Sequence, residues 1–222
     1  MRAEVMTLGT PNPRQREFLA CEKKYVAFGG ARGGGKSWAV RCKAKLLALR
    51  YAGIRILLVR RSLAELEANH LAFLRQELAD VAEYRAGERQ FRFCNGSVLQ
   101  FGYCGCDRDL DRYQGAEYDV IFLDEATQLK EQWMRQIAAC VRGVNDFPKR
   151  IYYTCNPGGP GHGYIKRLFI DRRFEDGEQP EDYAFIPARV TDNTALLARQ
   201  PDYLKTLEAL PYKPVSYTHL TL

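Results

Sequence analysis

Lys24-Tyr-Val-Ala-Phe-Gly-Gly-Ala-Arg-Gly-Gly-Gly-Lys-Ser37 is the stretch whose reading decides the fold. A short apolar run, Tyr25 to Phe28, has the length and composition of a buried strand. It empties into five glycines within seven residues, then Lys36-Ser37, then a helix-prone run from Trp38 to Arg50. Gly30, Gly35, Lys36 and Ser37 fit the phosphate-loop spacing G-x-x-x-x-G-K-[ST], with Ala31, Arg32, Gly33 and Gly34 in the variable positions. Glycines let the main chain curl until successive N–H groups point at one anion. The helix that follows adds its positive N-terminus. The pattern assigns Lys36 to the β- and γ-phosphates of ATP and the Ser37 hydroxyl to Mg²⁺.

Outward from the loop, the second informative stretch is Tyr118-Asp-Val-Ile-Phe-Leu-Asp-Glu-Ala126. An apolar strand ends in two adjacent carboxylates, which repel one another unless a cation or a reactive water lies in front of them. In phosphate-loop ATPases the first carboxylate, here Asp124, holds the Mg²⁺ shell. The second, here Glu125, polarises the attacking water. Arg150 to Cys155 reads as the next strand, and it ends in Asn156-Pro157. Two roles fit Asn156: sensing the γ-phosphate or attacking water, and starting the turn that the following glycines complete.

Between these stretches, Ile54 to Val59 is a near-continuous apolar run of the kind found in parallel strands covered on both faces. Arg60 and Arg61 follow it. They either touch phosphate or DNA at the strand end, where open α/β sheets bind ligands, or cap the sheet edge. Ser62 with Glu65 marks a helix start carrying Leu63, Leu66, Leu71, Leu74 and Leu78. Gln90 to Cys94 and Ser97 to Gly102 alternate around Asn95-Gly96, a hairpin signature. Gln128 to Val141 carries an apolar stripe of Leu129, Trp133 and Ile137. Before the loop, Arg14 to Cys21 forms a short helix with Phe18 and Leu19 inward. Its Gln15 amide suits either the edge of adenine or solvent. His162, in a glycine-rich turn, has no partner at ligand spacing.

Composition narrows the class. The chain has 222 residues, 46% of them hydrophobic, and no long uncharged apolar run, which argues for a globular domain and against a membrane span. The first ten residues lack the apolar core of a signal peptide. Seven cysteines, an odd number without framework spacing, point to reduced thiols. A formal charge of +6 permits contact with nucleic acid without demanding it.

Taken together, these motifs resemble the ATPase domain of tailed-bacteriophage terminase large subunits over nearly all of residues 12–212. The resemblance rests on Pro13-Arg-Gln15, the loop Gly30 to Ser37, Val59-Arg-Arg-Ser62, and Gln114 to Asp119 leading into Leu123-Asp-Glu-Ala126. It continues through Thr154-Cys-Asn-Pro-Gly-Gly159, Asp192-Asn193 and Pro201-Asp-Tyr-Leu204. It implies that Gln15 contacts adenine, that Thr154 and Asn156 couple hydrolysis to movement, and that Arg32 steadies the transferred phosphate. Arg32 equally suits solvent or a neighbouring subunit. The implied activity is ATP hydrolysis driving double-stranded DNA into a procapsid. The implied partners are further copies of the chain in a ring at the capsid portal, the portal protein and the small terminase subunit, in the cytoplasm of an infected bacterium and away from any membrane.

The expected architecture is a three-layer α/β phosphate-loop domain with an additional strand between the loop strand and the Asp-Glu strand, plus a small lid. On this reading residues 1–160 form the ATPase core and 161–213 the lid. Val215-Ser-Tyr-Thr-His-Leu220 resembles a translated sequencing adapter, so residues 214–222 are expected to be a read-through scar. The RNase H-like nuclease domain that follows in the family is then missing, and no DNA cleavage is expected of this fragment. Two rival readings are a helicase-like DNA or RNA translocase and an assembly module switched by ATP without turnover.

Overall fold

The structure, a computed structural model, describes residues 9–208. The apolar runs read from the sequence form parallel strands β1 (Tyr25–Gly30), β2 (Arg55–Arg60), β6 (Val120–Leu123) and β7 (Arg150–Cys155). The Asn95-Gly96 hairpin supplies β4 (Gln90–Phe93) and β5 (Val98–Tyr103). A short edge strand, β3 (Ala82–Arg85), and β8 (Tyr183–Ala188) complete the set. All eight join one sheet in the order β3-β4-β5-β2-β6-β7-β1-β8. The β3–β4 and β4–β5 pairs are antiparallel and every other pair is parallel. β7 lies between β1 and β6, so the additional strand stands where the sequence reading puts it.

The strands are continuously apolar because both faces are covered. Along β6, Val120 and Phe122 enter one core with Val26, Phe28, Ile56 and Leu58, under helices α1 (Pro13–Ala20) and α2 (Lys36–Arg50). Ile121 and Leu123 enter the other with Leu57, Val59 and Tyr153, under α5 (Glu131–Ala138) and α6 (His162–Phe169). Alternation at period two therefore separates two cores, not a core from solvent. On the first face Phe18 stacks on Phe28 at 4.9 Å and meets the edge of Tyr152 at 5.5 Å. α2 carries buried cations with nearby partners: Lys43 donates to the carbonyls of Leu19 and Cys21, and Lys45 pairs with Glu77 at 2.6 Å.

Two elements differ from expectation. The helix after β2 is not continuous: α3 (Leu63–Leu66) passes through a π turn (Glu67–Leu71) into α4 (Ala72–Glu77). And the segment expected as a lid is partly core. β8 pairs in parallel with β1 along its whole length, while Ile165, Leu168 and Phe169 of α6 are buried in the second core. What stands over the loop is the run after β8, with α7 (Thr194–Arg199) and α8 (Tyr203–Glu208). The suspected adapter residues, 214–222, lie outside the described residues.

Register brings the strand ends level. Gly29 faces Cys155, Gly30 faces Ala188, Leu123 faces Tyr153, and Val59 faces Leu123. The segments following β1, β2, β6, β7 and β8 thus emerge along one edge, the ligand-binding edge of an open α/β sheet. The β1–β7 contact is tight: a Cβ at Gly29 would lie 2.1 Å from Cys155 Sγ. Gly29→Ala is therefore expected to destabilise by about 1–3 kcal/mol through overpacking. Adding Cys155→Ala should recover part of the loss, and urea denaturation of the two single variants and the double variant reads that coupling.

Candidate functional site

The main chain leaves β1 through Gly30 (φ 136°) and reaches α2 through Gly35 at φ 74°. That left-handed conformation suits glycine. A Cβ at Gly35 would also lie 2.4 Å from Gln15 Nε2. The α2 N-terminus has no side-chain cap and no acidic residue in its first turn, so its free N–H groups face the loop. Behind the loop, the Ala31 N–H donates to Ala188 O at 2.9 Å. Asn193 Nδ2 donates to Gly33 O at 2.6 Å from the run after β8.

Lys36 is almost wholly buried. Its ammonium donates to Ala31 O and to Asn156 Oδ1, the latter at 2.8 Å. Burial pushes its pKa down, opposed by Cys155, Asp124 and Glu125. The loop lysine therefore feels both carboxylates. Asn156 in turn presents its backbone carbonyl to Thr127 Oγ1 at 2.9 Å. Asn156 thus starts the turn after β7, and its side-chain amide accepts from the loop lysine.

The acidic side is a closed relay. The Glu125 N–H donates to Thr154 Oγ1 at 2.8 Å, and that hydroxyl donates to Asp124 Oδ1 at 2.6 Å. Asp124 Oδ2 lies 2.8 Å from His70 Nε2 and 3.0 Å from Arg60 Nε. Burial opposes charge on Asp124, but His70, Arg60 and the Thr154 hydroxyl outweigh it and hold the carboxyl well below the usual carboxylate range. Arg60 also pairs with Glu125 Oε1 at 2.7 Å. It is 4% exposed, so it neither reaches out to DNA nor caps the sheet edge; it neutralises the acid pair from within. Glu125 itself has φ 53° and ψ 47°, an uncommon conformation for a non-glycine residue.

These groups surround one cavity of about 790 Å³. Gly30, Arg32, Gly33, Gly34, Gly35, Lys36, Ser37, Glu125 and Asn156 line it, so the loop and the acid pair open on the same space. Arg32 is exposed on its wall. Asp124 and Thr154 sit buried behind Glu125, and Ala31 sits behind the loop. Gln15, expected at the edge of adenine, meets protein groups here. Its amide accepts from the Asn12 N–H at 2.9 Å and donates to Gly35 O at 3.1 Å, bracing the loop from behind, and it does not line the cavity. Reading the sequence alone overlooks His70. It also overlooks Gln128, Leu196 and the aromatic wall of Trp38, Phe73 and Tyr203.

The family model for the terminase large subunit, T4likevirus-type, N-terminal, matches residues 27–217. The chain belongs to this family. No curated protein matches this chain. Among solved structures, the large terminase of a thermophilic bacteriophage superposes with TM-score 0.74 at 18% identity, covering 94% of this chain and 52% of that one. The complex of that same phage terminase with ADP gives TM-score 0.73 at 17% identity, covering 93% and 51%. The large terminase ATPase domain of Thermus phage P74-26 gives 0.66 at 15% identity, covering 91% and 89%. The terminase domain thus shares the fold of phage large terminase ATPase domains, and it spans about half the length of the thermophilic-phage protein.

Thr154 connects Asp124, the candidate metal ligand, to Glu125, the candidate base, without touching the cavity. Thr154→Val keeps its shape but leaves the Asp124 oxygen and the Glu125 N–H without that partner. The expected loss is at least about 1–3 kcal/mol in denaturant unfolding. Thr154→Ser, retaining the hydroxyl, should lose far less.

Proposed function

We propose that this terminase domain binds and hydrolyses ATP, and that the hydrolysis drives double-stranded DNA into a viral procapsid. The observation that carries the reading is the convergence of Lys36, Asn156 and Glu125 on one cavity, with Asp124 behind them held by Thr154, His70 and Arg60. The family and the nucleotide-bound structure of a similar fold support it.

On this reading the loop N–H groups, the α2 N-terminus and Lys36 bind the phosphates. Glu125 uses the oxygen not paired with Arg60 to orient a water toward the γ-phosphate, and Asn156 reports the occupancy of Lys36 to the β7 turn. Arg32, on the exposed wall, is placed to meet charge developing on the transferred group. Thr154 and Asn156 link the two halves of the site.

The residues present also fit Mg²⁺. Ser37, on the cavity wall, would hold it directly, and Asp124, buried behind Glu125, would hold its shell from behind; both donors are oxygens, as a hard cation requires. Among the described residues no group of three or more His, Cys, Asp or Glu is arranged to hold a metal alone. That suits an ion that takes most of its ligands from phosphate and water. When bound, it neutralises charge on the β- and γ-phosphates.

A ring of copies at the capsid portal, a portal protein and a small terminase subunit as partners, in the cytoplasm of an infected bacterium, complete the proposal. Among the described residues no helix is long and apolar enough to cross a membrane. Glu125→Gln is expected to abolish phosphate release, with and without DNA, while leaving ATP binding intact. Lys36→Ala should lose binding itself. Unchanged turnover in Glu125→Gln would reject the assignment of the base, and binding without turnover in the parent chain would favour the switch-module reading.

A further inference from the structure

His70 enters none of the roles above, yet the structure spends a backbone irregularity on it. In the π turn the Ala72 N–H reaches back to Glu67 O, one residue further than in an α-helix. The widened turn sets two successive residues, His70 and Leu71, on the buried side, both fully enclosed. Leu66, Leu71 and Leu74 pack into the apolar core. The leucines around it suit that core, whereas a buried imidazole must satisfy its polar atoms. Only one is satisfied: Nε2 meets Asp124 Oδ2 at 2.8 Å, while Nδ1 has no hydrogen-bond partner among the described residues. Because an ionised carboxylate can only accept, Nε2 carries the proton.

We propose that His70 is a positioning residue for the magnesium–nucleotide complex, its Nε2–H fixing the orientation from which the Asp124 carboxylate serves the ion. This rests on reading the loop and the acid pair as an Mg·ATP site. The geometry supplies the argument. Thr154 holds one carboxylate oxygen from β7, and His70 holds the other from the π turn. Arg60 approaches the second oxygen as well, but its guanidinium is shared with Glu125. Without His70 the second oxygen loses its only hydrogen bond and keeps the ion pair with Arg60 alone. Partners of metal-binding groups commonly matter in this way: their loss costs about 10–100-fold in metal affinity or activity. The same turn also walls the cavity through Asn69, whose carbonyl accepts from Arg41 at 2.7 Å. The position of His70 is thus tied to the wall of the nucleotide cavity.

The test is binding of a fluorescent ADP to the 222-residue chain, with Mg²⁺ titrated in and with Mg²⁺ chelated. The parent should bind more tightly with Mg²⁺. His70→Leu should need at least about tenfold more Mg²⁺ for half-maximal enhancement, with metal-free affinity unchanged. His70→Gln, which keeps a donor at similar reach, should return close to the parent. If His70→Leu does not fold, His70→Asn, polar but too short to reach Asp124, should show the same raised requirement. An unchanged Mg²⁺ requirement in His70→Leu, or equal loss of metal-free and Mg²⁺-supported binding, overturns the positioning role alone. A parent chain that binds ADP identically with and without Mg²⁺ overturns the site reading as well.

Discussion

A carboxylate buried at the end of a central strand is costly unless donors and a countercharge meet it, and Asp124 has two hydrogen bonds and an ion pair. They come from Thr154 on β7, Arg60 on β2 and His70 on the π turn, so the charge fastens together three elements that the chain visits at distant points. Removing one partner from such a group leaves buried charge uncompensated, which is far more destabilising than losing a surface ion pair. The arrangement also sets direction. The Thr154 hydroxyl accepts from the Glu125 N–H and so must donate to Asp124, which fixes the backbone of the residue that faces the cavity.

The acidic relay and the phosphate loop are joined through Lys36. Its bond to Asn156 crosses from the end of β1 to the end of β7. Parallel strands in level register make that reach short: Gly29 and Cys155 are paired, and the segments beyond them lie side by side. On the far side of β1, Ala188 and Asn193 hold the loop from β8 and the run beyond it. The cavity is thus enclosed by the sheet edge, α2 and the residues after β8. Lys36 and Asn156 thus link the loop directly to the end of β7.

Much of this is legible in the residues. β1, β2, β6 and β7 announce themselves because burial on both faces demands unbroken apolar runs, and Asn95-Gly96 marks the hairpin. The loop and the Asp124–Glu125 pair are legible because their chemistry needs particular residues in sequence. The edge strand β3 is not, since four half-exposed residues carry no strong pattern. β8 reads as a strand, but its partner is chosen by tertiary packing, so its place beside β1 and not in a separate lid is invisible locally. Gln15 shows why residue type underdetermines role: its amide reads bases and braces loops equally well, and only the fold shows that it meets Asn12 and Gly35. His70 is a single histidine among leucines. Its one trace is the five-residue gap from Leu66 to Leu71, which a regular helix does not favour and a π turn accommodates.

The central claim is that the loop and the acid pair serve one triphosphate. A crystal or cryo-electron microscopy structure of this chain with ATP-γ-S and Mg²⁺ tests it most directly. The account predicts β-phosphate density against the N–H groups of residues 33–37, with the γ-thiophosphate between Lys36 and Glu125. Density for the nucleotide elsewhere, or a terminal phosphate directed away from Glu125, would contradict it.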